Sequence, residues 1–112
     1  MTLRDEQSRF AEDVLSLLSW ARDHGYEFTF GEARRTVDQQ KIYVQTGRSK
    51  TMDSYHIKGL AVDLNFFKDG KYLVTKEELQ PIGDTWEIIC AANSWGGNWN
   101  SFKDVPHFER RA

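Results

Sequence analysis

The period of the hydrophobic pattern changes along this chain, and that change restricts the folds that the chain can adopt. From Phe10 to Ala21 apolar residues recur with the spacing of an amphipathic helix, which we predict over residues 3–24. Residues 26–30 and 60–66 instead alternate in the manner of β-strands. Helical and strand patterns mixed within one short chain predict an α+β fold.

Turn and capping residues indicate where the other elements begin and end. Asp69-Gly70 between two apolar runs is a strong hairpin signal, with a return strand over 72–74. Thr36 to Gln39 has the form of a capping box, so a second helix is predicted to begin there and to end at Gly47. Thr75 to Glu78 forms a further capping-box pattern, and a separate helix is predicted near 83–93.

Length and composition exclude several classes of protein. The 112 residues are enough for one small domain, 1–112, and we expect a monomer. The formal net charge of −2 argues against a general nucleic-acid binder, and no apolar stretch is long enough to cross a bilayer. No secretory signal opens the chain, and the single cysteine cannot form an internal disulfide. Both features predict synthesis in the cytoplasm.

Positive charge is concentrated in one part of the sequence. Residues 34–58 contain six basic and two acidic side chains, whereas residues 1–33 contain three basic and seven acidic ones. The excess could steer an anionic substrate towards the protein. A solvated surface with uneven charge explains it equally well.

His56 and Asp63 are the first pair of residues that could carry chemistry. They are seven residues apart, so one unbroken strand would place them on opposite faces. Gly59 lies between them and permits the bend that would bring both to one ion. The spacing by itself fits a loop histidine and a surface aspartate as well.

A second group of candidates lies near the end of the chain. Pro106 disfavours a helix, so Asp104 and His107 are only a short loop apart. Two imidazoles and one carboxylate form a three-ligand catalytic zinc set, and a second carboxylate can serve as general base. Glu109 is expected on the same strand face as His107, where it could orient that ligand.

A longer pattern links these residues to a known family. It fixes five positions within ten residues: Ser54-x-His56-x-x-Gly59-x-Ala61-x-Asp63. With the acidic residue and histidine downstream, it resembles the zinc peptidases of bacterial cell walls. These are the D-alanyl-D-alanine carboxypeptidases and dipeptidases and the phage L-alanyl-D-glutamate endopeptidases, which share a fold with the Hedgehog signalling domain. The likeness spans roughly residues 30–109 and implies a small domain with an antiparallel sheet flanked by helices.

The resemblance also implies roles for individual residues. It makes His56, Asp63 and His107 the ligands of a Zn²⁺ ion. Asp104 matches the catalytic acid of the phage-type members. An arginine that holds the substrate carbonyl oxygen matches Arg35.

Four further residues are candidates for substrate binding, each with an alternative. Arg34 is adjacent to Arg35, and neighbours on a strand face opposite ways, so the register between the two stays open. Ser54 could hydrogen-bond near the metal or substrate, or cap a turn. Trp95 and Trp99 could line a substrate groove or fill the core.

The leading prediction is a zinc-dependent peptidase that cleaves peptidoglycan stem peptides. The Asp104-x-x-His107 form, the short chain and the missing signal favour the L-alanyl-D-glutamate endopeptidase type, a phage or prophage endolysin. Such an enzyme would reach the wall through a separate membrane-permeabilising protein, a holin. One alternative is a D-alanyl-D-alanine carboxypeptidase or dipeptidase on the same scaffold. An alternative of another class is a non-catalytic zinc-binding interaction domain.

Overall fold

The computed structural model of the protein describes residues 1–48, 54–101 and 103–111. The helices in this part of the chain are α1 (Leu3–Asp23), α2 (Val37–Gln45) and α3 (Lys76–Ile89). The strands are β1 (Glu27–Phe30), β2 (Ala61–Lys68), β3 (Lys71–Tyr72), β4 (Asn93–Trp95) and β5 (His107–Arg110). A short 3-10 helix, Gly96–Asn98, follows β4 directly. The predicted α+β class is confirmed.

The described strands form one antiparallel sheet around β2. Its order is β1-β2-β5-β4, and β3 pairs with the far end of β2 through the predicted hairpin. In the β2–β5 pair Asp63 lies opposite His107, and Ala61 lies opposite Glu109. Because directly opposed residues share a face of the sheet, the side chains of Asp63 and His107 are neighbours.

The hydrophobic core lies on the other face, under α1 and α3. It takes Leu17 from α1, Phe66 from β2, Trp86 from α3 and Phe108 from β5, each at most 1% exposed. The Trp86 ring meets Phe108 edge-on at 6.0 Å. Burial of each such side chain stabilises the fold by roughly 1.5–3 kcal/mol. Because side chains alternate along a strand, the other residues of β2, Asp63 among them, face the open side of the sheet.

The α3 region differs from the two separate patterns that the sequence shows. Thr75 caps α3, and the Glu78 side chain returns to the Thr75 backbone, so the capping box begins the same helix that carries Trp86. The helix ends at Ile89 rather than at 93, because the chain enters β4 at Asn93. Asn and Ser are poor strand formers, which is why β4 was not predicted.

Trp95 is fully buried, so of its two predicted roles it fills the core, and its place among the substrate-binding candidates is wrong. Its ring passes between two glycines: a Cβ on Gly83 would lie 2.1 Å from it, and one on Gly97 would lie 2.2 Å away. The indole Nε1 donates to the backbone oxygen of Val105 at 2.7 Å. Trp95 is therefore a core residue that joins α3 to the loop before β5.

Candidate metal centre

Three separate segments bring the predicted ligands together. Asp63 is held by β2 and His107 by β5, while His56 lies in a turn ahead of β2. Gly59 in that turn has a φ of +71°, which an L side chain rarely adopts. The predicted bend between His56 and Asp63 is thus present.

The three inward-facing ligand atoms form a nearly equilateral triangle. His56 Nε2 is 3.1 Å from His107 Nδ1 and 3.3 Å from Asp63 Oδ1. The distance from His107 Nδ1 to Asp63 Oδ1 is 3.4 Å. Ligand atoms about 2.0–2.1 Å from a tetrahedral zinc lie roughly 3.3–3.4 Å apart. Asp63 Oδ1 is buried and has no well-oriented donor among the described residues. The donor set therefore fits a zinc ion.

The outer nitrogens of both imidazoles meet hydrogen-bond acceptors. His56 Nδ1 lies 2.7 Å from the Ala33 carbonyl oxygen, and His107 Nε2 lies 2.7 Å from Glu109 Oε1. Since neither partner can donate, each outer nitrogen carries the proton. The inner nitrogen of each neutral ring then presents its lone pair to the centre, which is the arrangement that metal-binding histidines require.

The charge distribution favours a cation at this centre. Burial alone would raise the pKa of Asp63, but contacts with His107 and His56 lower it to about 2. Burial alone would lower the pKa of His107, but Asp63 and Glu109 raise it to about 9. In the metal-free chain a proton on the inner nitrogen of His107 therefore balances the charge of Asp63, and a bound divalent cation would displace that proton and leave the ring neutral.

Asp104 lies at the rim of the centre rather than within the triangle. Its Oδ2 is 4.0 Å from His107 Nδ1, and its side chain is 40% exposed. The Asp104 N–H donates to the Gly96 carbonyl, and the His107 N–H donates to the Asp104 carbonyl. The packing there is tight, because a Cβ on Gly96 would lie 2.2 Å from the backbone carbonyl oxygen of Asp104. Partial burial and the charge of Asp63 raise the pKa of Asp104.

The two arginines are distinguished by where their side chains lie. Strand β1 ends at Phe30, so strand alternation does not decide their register. Arg34 is exposed, whereas the Arg35 side chain is only 10% exposed and pairs with Glu32. The positive charge of Arg35 also acts on Asp104, where it lowers the pKa. The structure thus places the side chain of Arg35, and not that of Arg34, beside Ser54.

Ser54 lies between the arginine and the first histidine. Its hydroxyl oxygen accepts from the His56 backbone N–H at 3.2 Å, as a turn cap does, and from Arg35 Nη1 at 3.4 Å. Ser54 is 9% exposed. The turn-cap alternative accounts for its position.

The strand-like segment 31–35 supports the centre, and sequence reasoning missed that role. The Gly31 N–H donates to the Asp63 carbonyl, and the Asp63 N–H donates to the Glu32 carbonyl. The Arg35 N–H donates to the His56 carbonyl. Backbone hydrogen bonds of this kind leave no signal in residue types, so the sequence could not reveal them.

The remaining predictions concern Trp99 and the basic segment. Trp99 is partly exposed, and its ring centroid lies 5.1 Å from that of His107, so it is the tryptophan beside the centre. Lys50 and Asp53, which belong to the basic segment 34–58, lie outside the described residues.

An α+β domain with a His–Asp–His centre on the open face of its sheet, and a further carboxylate at the rim, has the architecture of a zinc peptidase. Residues 47–110 match a family model described as D-alanyl-D-alanine carboxypeptidase. The chain belongs to this family of zinc-dependent peptidases, as the motif predicts.

Two curated relatives are L-alanyl-D-glutamate enzymes. The chain is 34% identical over 102 residues to the L-alanyl-D-glutamate peptidase of Listeria phage A118, covering 83% of this chain and 34% of that protein. It is 30% identical over 111 residues to the peptidoglycan L-alanyl-D-glutamate endopeptidase CwlK of Bacillus subtilis (strain 168), covering 84% and 66%. The chain therefore spans about a third of the phage protein and just under two thirds of CwlK.

Solved structures confirm the predicted fold. The L-Ala D-Glu endopeptidase ChiX of Serratia marcescens superposes with a TM-score of 0.72 at 26% identity, covering 88% of this chain and 78% of that chain. A variant of the vancomycin-resistance D,D-pentapeptidase VanY, in complex with Zn(II), superposes with a TM-score of 0.63 at 18% identity, covering 93% and 71%.

Proposed function

We propose that this chain is a zinc-dependent peptidase that hydrolyses peptidoglycan stem peptides at the L-alanyl-D-glutamate bond. The observation that carries the proposal is the triangle of His56, Asp63 and His107 with Asp104 at its rim. The names of the phage A118 relative, CwlK and ChiX support this choice of bond.

In the proposed mechanism His56, Asp63 and His107 hold the metal, and the rim residues move protons and stabilise charge. When bound, zinc supplies Lewis acidity towards water and the peptide carbonyl. Asp104 takes a proton from the attacking water and returns it to the leaving amine. The raised pKa of Asp104 makes its carboxylate a stronger base for the first of these transfers. Arg35 donates hydrogen bonds to the carbonyl oxygen as negative charge develops there.

Digestion of purified cell walls tests the proposal. Mass spectrometry of the products should show new amino termini at D-glutamate and no loss of terminal D-alanine. The variant His56→Ala should release nothing, because it removes one ligand of the centre. Intact walls after incubation with the zinc-loaded wild-type chain would contradict the proposal.

A D-alanyl-D-alanine carboxypeptidase or dipeptidase is the second candidate function. The description of the family model that matches residues 47–110 favours it. Release of D-alanine or of its dipeptide in the same digest would select this candidate. A non-catalytic zinc-binding domain would bind the metal and release neither product. The carboxylate of Asp104 beside the centre argues against this alternative, because a domain that only binds metal needs no general base there.

The proposed place of action is the bacterial cell wall. The phage origin of the A118 relative supports a lytic role. The proposal includes cytoplasmic synthesis and holin-dependent release. Among the described helices, none has the length and apolar character needed to cross a membrane. We further propose that the chain acts as a monomer without nucleic acid, which size-exclusion chromatography with light scattering checks.

A further inference from the structure

A buried carboxylate stands directly behind one of the proposed ligands. Glu109 has a side chain that is only 4% exposed, and its Oε1 lies 2.7 Å from His107 Nε2. Its second oxygen, Oε2, lies 2.7 Å from Arg111 Nε. An isolated buried carboxylate is costly, so both oxygens of Glu109 are paired, one to the ligand and one to a cation.

Arg111 and Trp99 close a ring of contacts around this carboxylate. The Arg111 guanidinium lies over the Trp99 ring at 5.7 Å, and the Trp99 ring centroid is 5.1 Å from that of His107. Trp99 is itself fixed, because its Nε1 donates at 3.0 Å to Ser94, the cross-strand neighbour of Glu109 on β4. The contacts run from His107 through Glu109, Arg111 and Trp99 back to His107.

The two imidazoles of the centre are supported differently. His56 meets the neutral backbone oxygen of Ala33, whereas His107 meets an ionised side chain. A carboxylate that accepts the outer N–H makes the inner nitrogen a stronger donor than a carbonyl does. The side chain at position 109 can also be replaced by mutation, so its contribution can be measured.

We propose that Glu109 is a positioning residue, which fixes the ring orientation and the protonated nitrogen of His107 for metal binding, and that Arg111 and Trp99 hold Glu109 in place. The inference rests on the proposed function because it takes His107 as a metal ligand. It assigns Glu109 no contact with the substrate. The step that it governs is metal capture.

Zinc affinity of the full chain, measured by competition with a chromogenic chelator at fixed pH, tests this inference. Glu109→Ala should weaken zinc binding about 10- to 100-fold, the usual range for partners of ligating histidines. Glu109→Gln should weaken it less, because its amide oxygen still accepts the Nε2–H. Arg111→Gln should have the smallest of the three effects. Glu27→Gln, at an exposed position on β1, is the matched control and should bind like wild type.

Nitrogen-15 NMR of the zinc-loaded His107 ring supplies a readout that a merely structural role would not move. In the wild type the His107 ring should keep its proton on Nε2. In Glu109→Ala a second set of ring signals should appear, from a His107 ring with another orientation or protonated nitrogen. If Glu109→Ala fails to fold, the isosteric Glu109→Gln carries the test. Wild-type affinity and ring signals in the variants would overturn this inference alone, whereas a wild-type chain that binds no zinc would overturn the proposed function as well.

Discussion

Asp63 and Asp104 are carboxylates at the same centre, yet their surroundings shift their pKa values in opposite directions. Two imidazoles within 3.4 Å of Asp63 hold its pKa at about 2, so it stays ionised as a ligand must. Asp104 is farther from them, and partial burial raises its pKa. Two acidic groups whose environments separate their pKa values in this way are suited to different tasks.

Substitution of Asp104 should separate metal binding from catalysis. Asp104→Asn keeps the size of the side chain but removes the proton acceptor, so we expect full zinc content and a rate of wall hydrolysis lower by about 10²–10⁴. Metal analysis and product release measured on one preparation check this. Asp23→Asn, at an exposed position on α1, should change neither quantity. An unchanged rate in Asp104→Asn would remove Asp104 from the proton transfers.

The sequence predicted residues whose role depends on their chemical type, and it left open those whose role depends on packing. His56, Asp63 and His107 converge as the motif implies. Trp95 and Trp99 have the same side chain, and it is the packing of the Trp95 ring between Gly83 on α3 and the nearby Gly97 that decides which one is buried. Spacing within the sequence contains no information about such contacts.

At the scale of elements, α3 packs closely against the Trp95 ring through Gly83. Gly83→Ala on an exposed face would stabilise a helix by about 1 kcal/mol, but here the new Cβ would lie 2.1 Å from the Trp95 ring. We expect a net loss of roughly 1–3 kcal/mol in the free energy of unfolding, measured with urea. Ile88→Ala, at a side chain 83% exposed on the same helix, should change it by less than about 0.5 kcal/mol. Equal stability of Gly83→Ala and wild type would refute the tight packing.

The start of α3 should make stability depend on pH. Hydrogen bonds from Lys71 and Thr75 lower the pKa of Glu78 from 4.5 to about 2. Its carboxylate therefore stabilises the folded state above pH 4.5, and that contribution is lost as the pH falls towards 2. Glu78→Gln should lower the melting temperature at pH 7, and the difference from wild type should shrink by pH 3. Glu77→Gln, the exposed neighbour, should show no such convergence.

Elements with local signals could be predicted from the sequence, whereas elements that depend on distant partners could not. Helix α1, the hairpin at Asp69-Gly70 and the cap at Thr75 follow from nearby residues. Strand β4 pairs with the edge of β5, and Asn93 is of a type that is depleted in strands, so its three residues give only a weak strand signal. The support of the centre by residues 31–35 depends in the same way on β2 and the His56 turn.

For the whole molecule, metal occupancy should determine stability. An ion that binds the folded chain alone stabilises it by about 2.7 kcal/mol at a concentration one hundred times its Kd. We therefore expect chelation to lower the melting temperature and added zinc to restore it, as measured by calorimetry. His56→Ala should show no zinc-dependent shift. A wild-type melting temperature that does not respond to zinc would argue against a metal centre built from all three segments.

The position of β5 between β2 and β4 has a consequence for the newly made polypeptide. His56 and His107 are 51 positions apart, and the second arrives on the strand that closes the middle of the sheet. A growing chain that ends before residue 107 lacks both β5, which joins β2 to β4, and the third proposed ligand. Metal binding is therefore expected only once β5 has paired with β2, after nearly all of these residues have been synthesised.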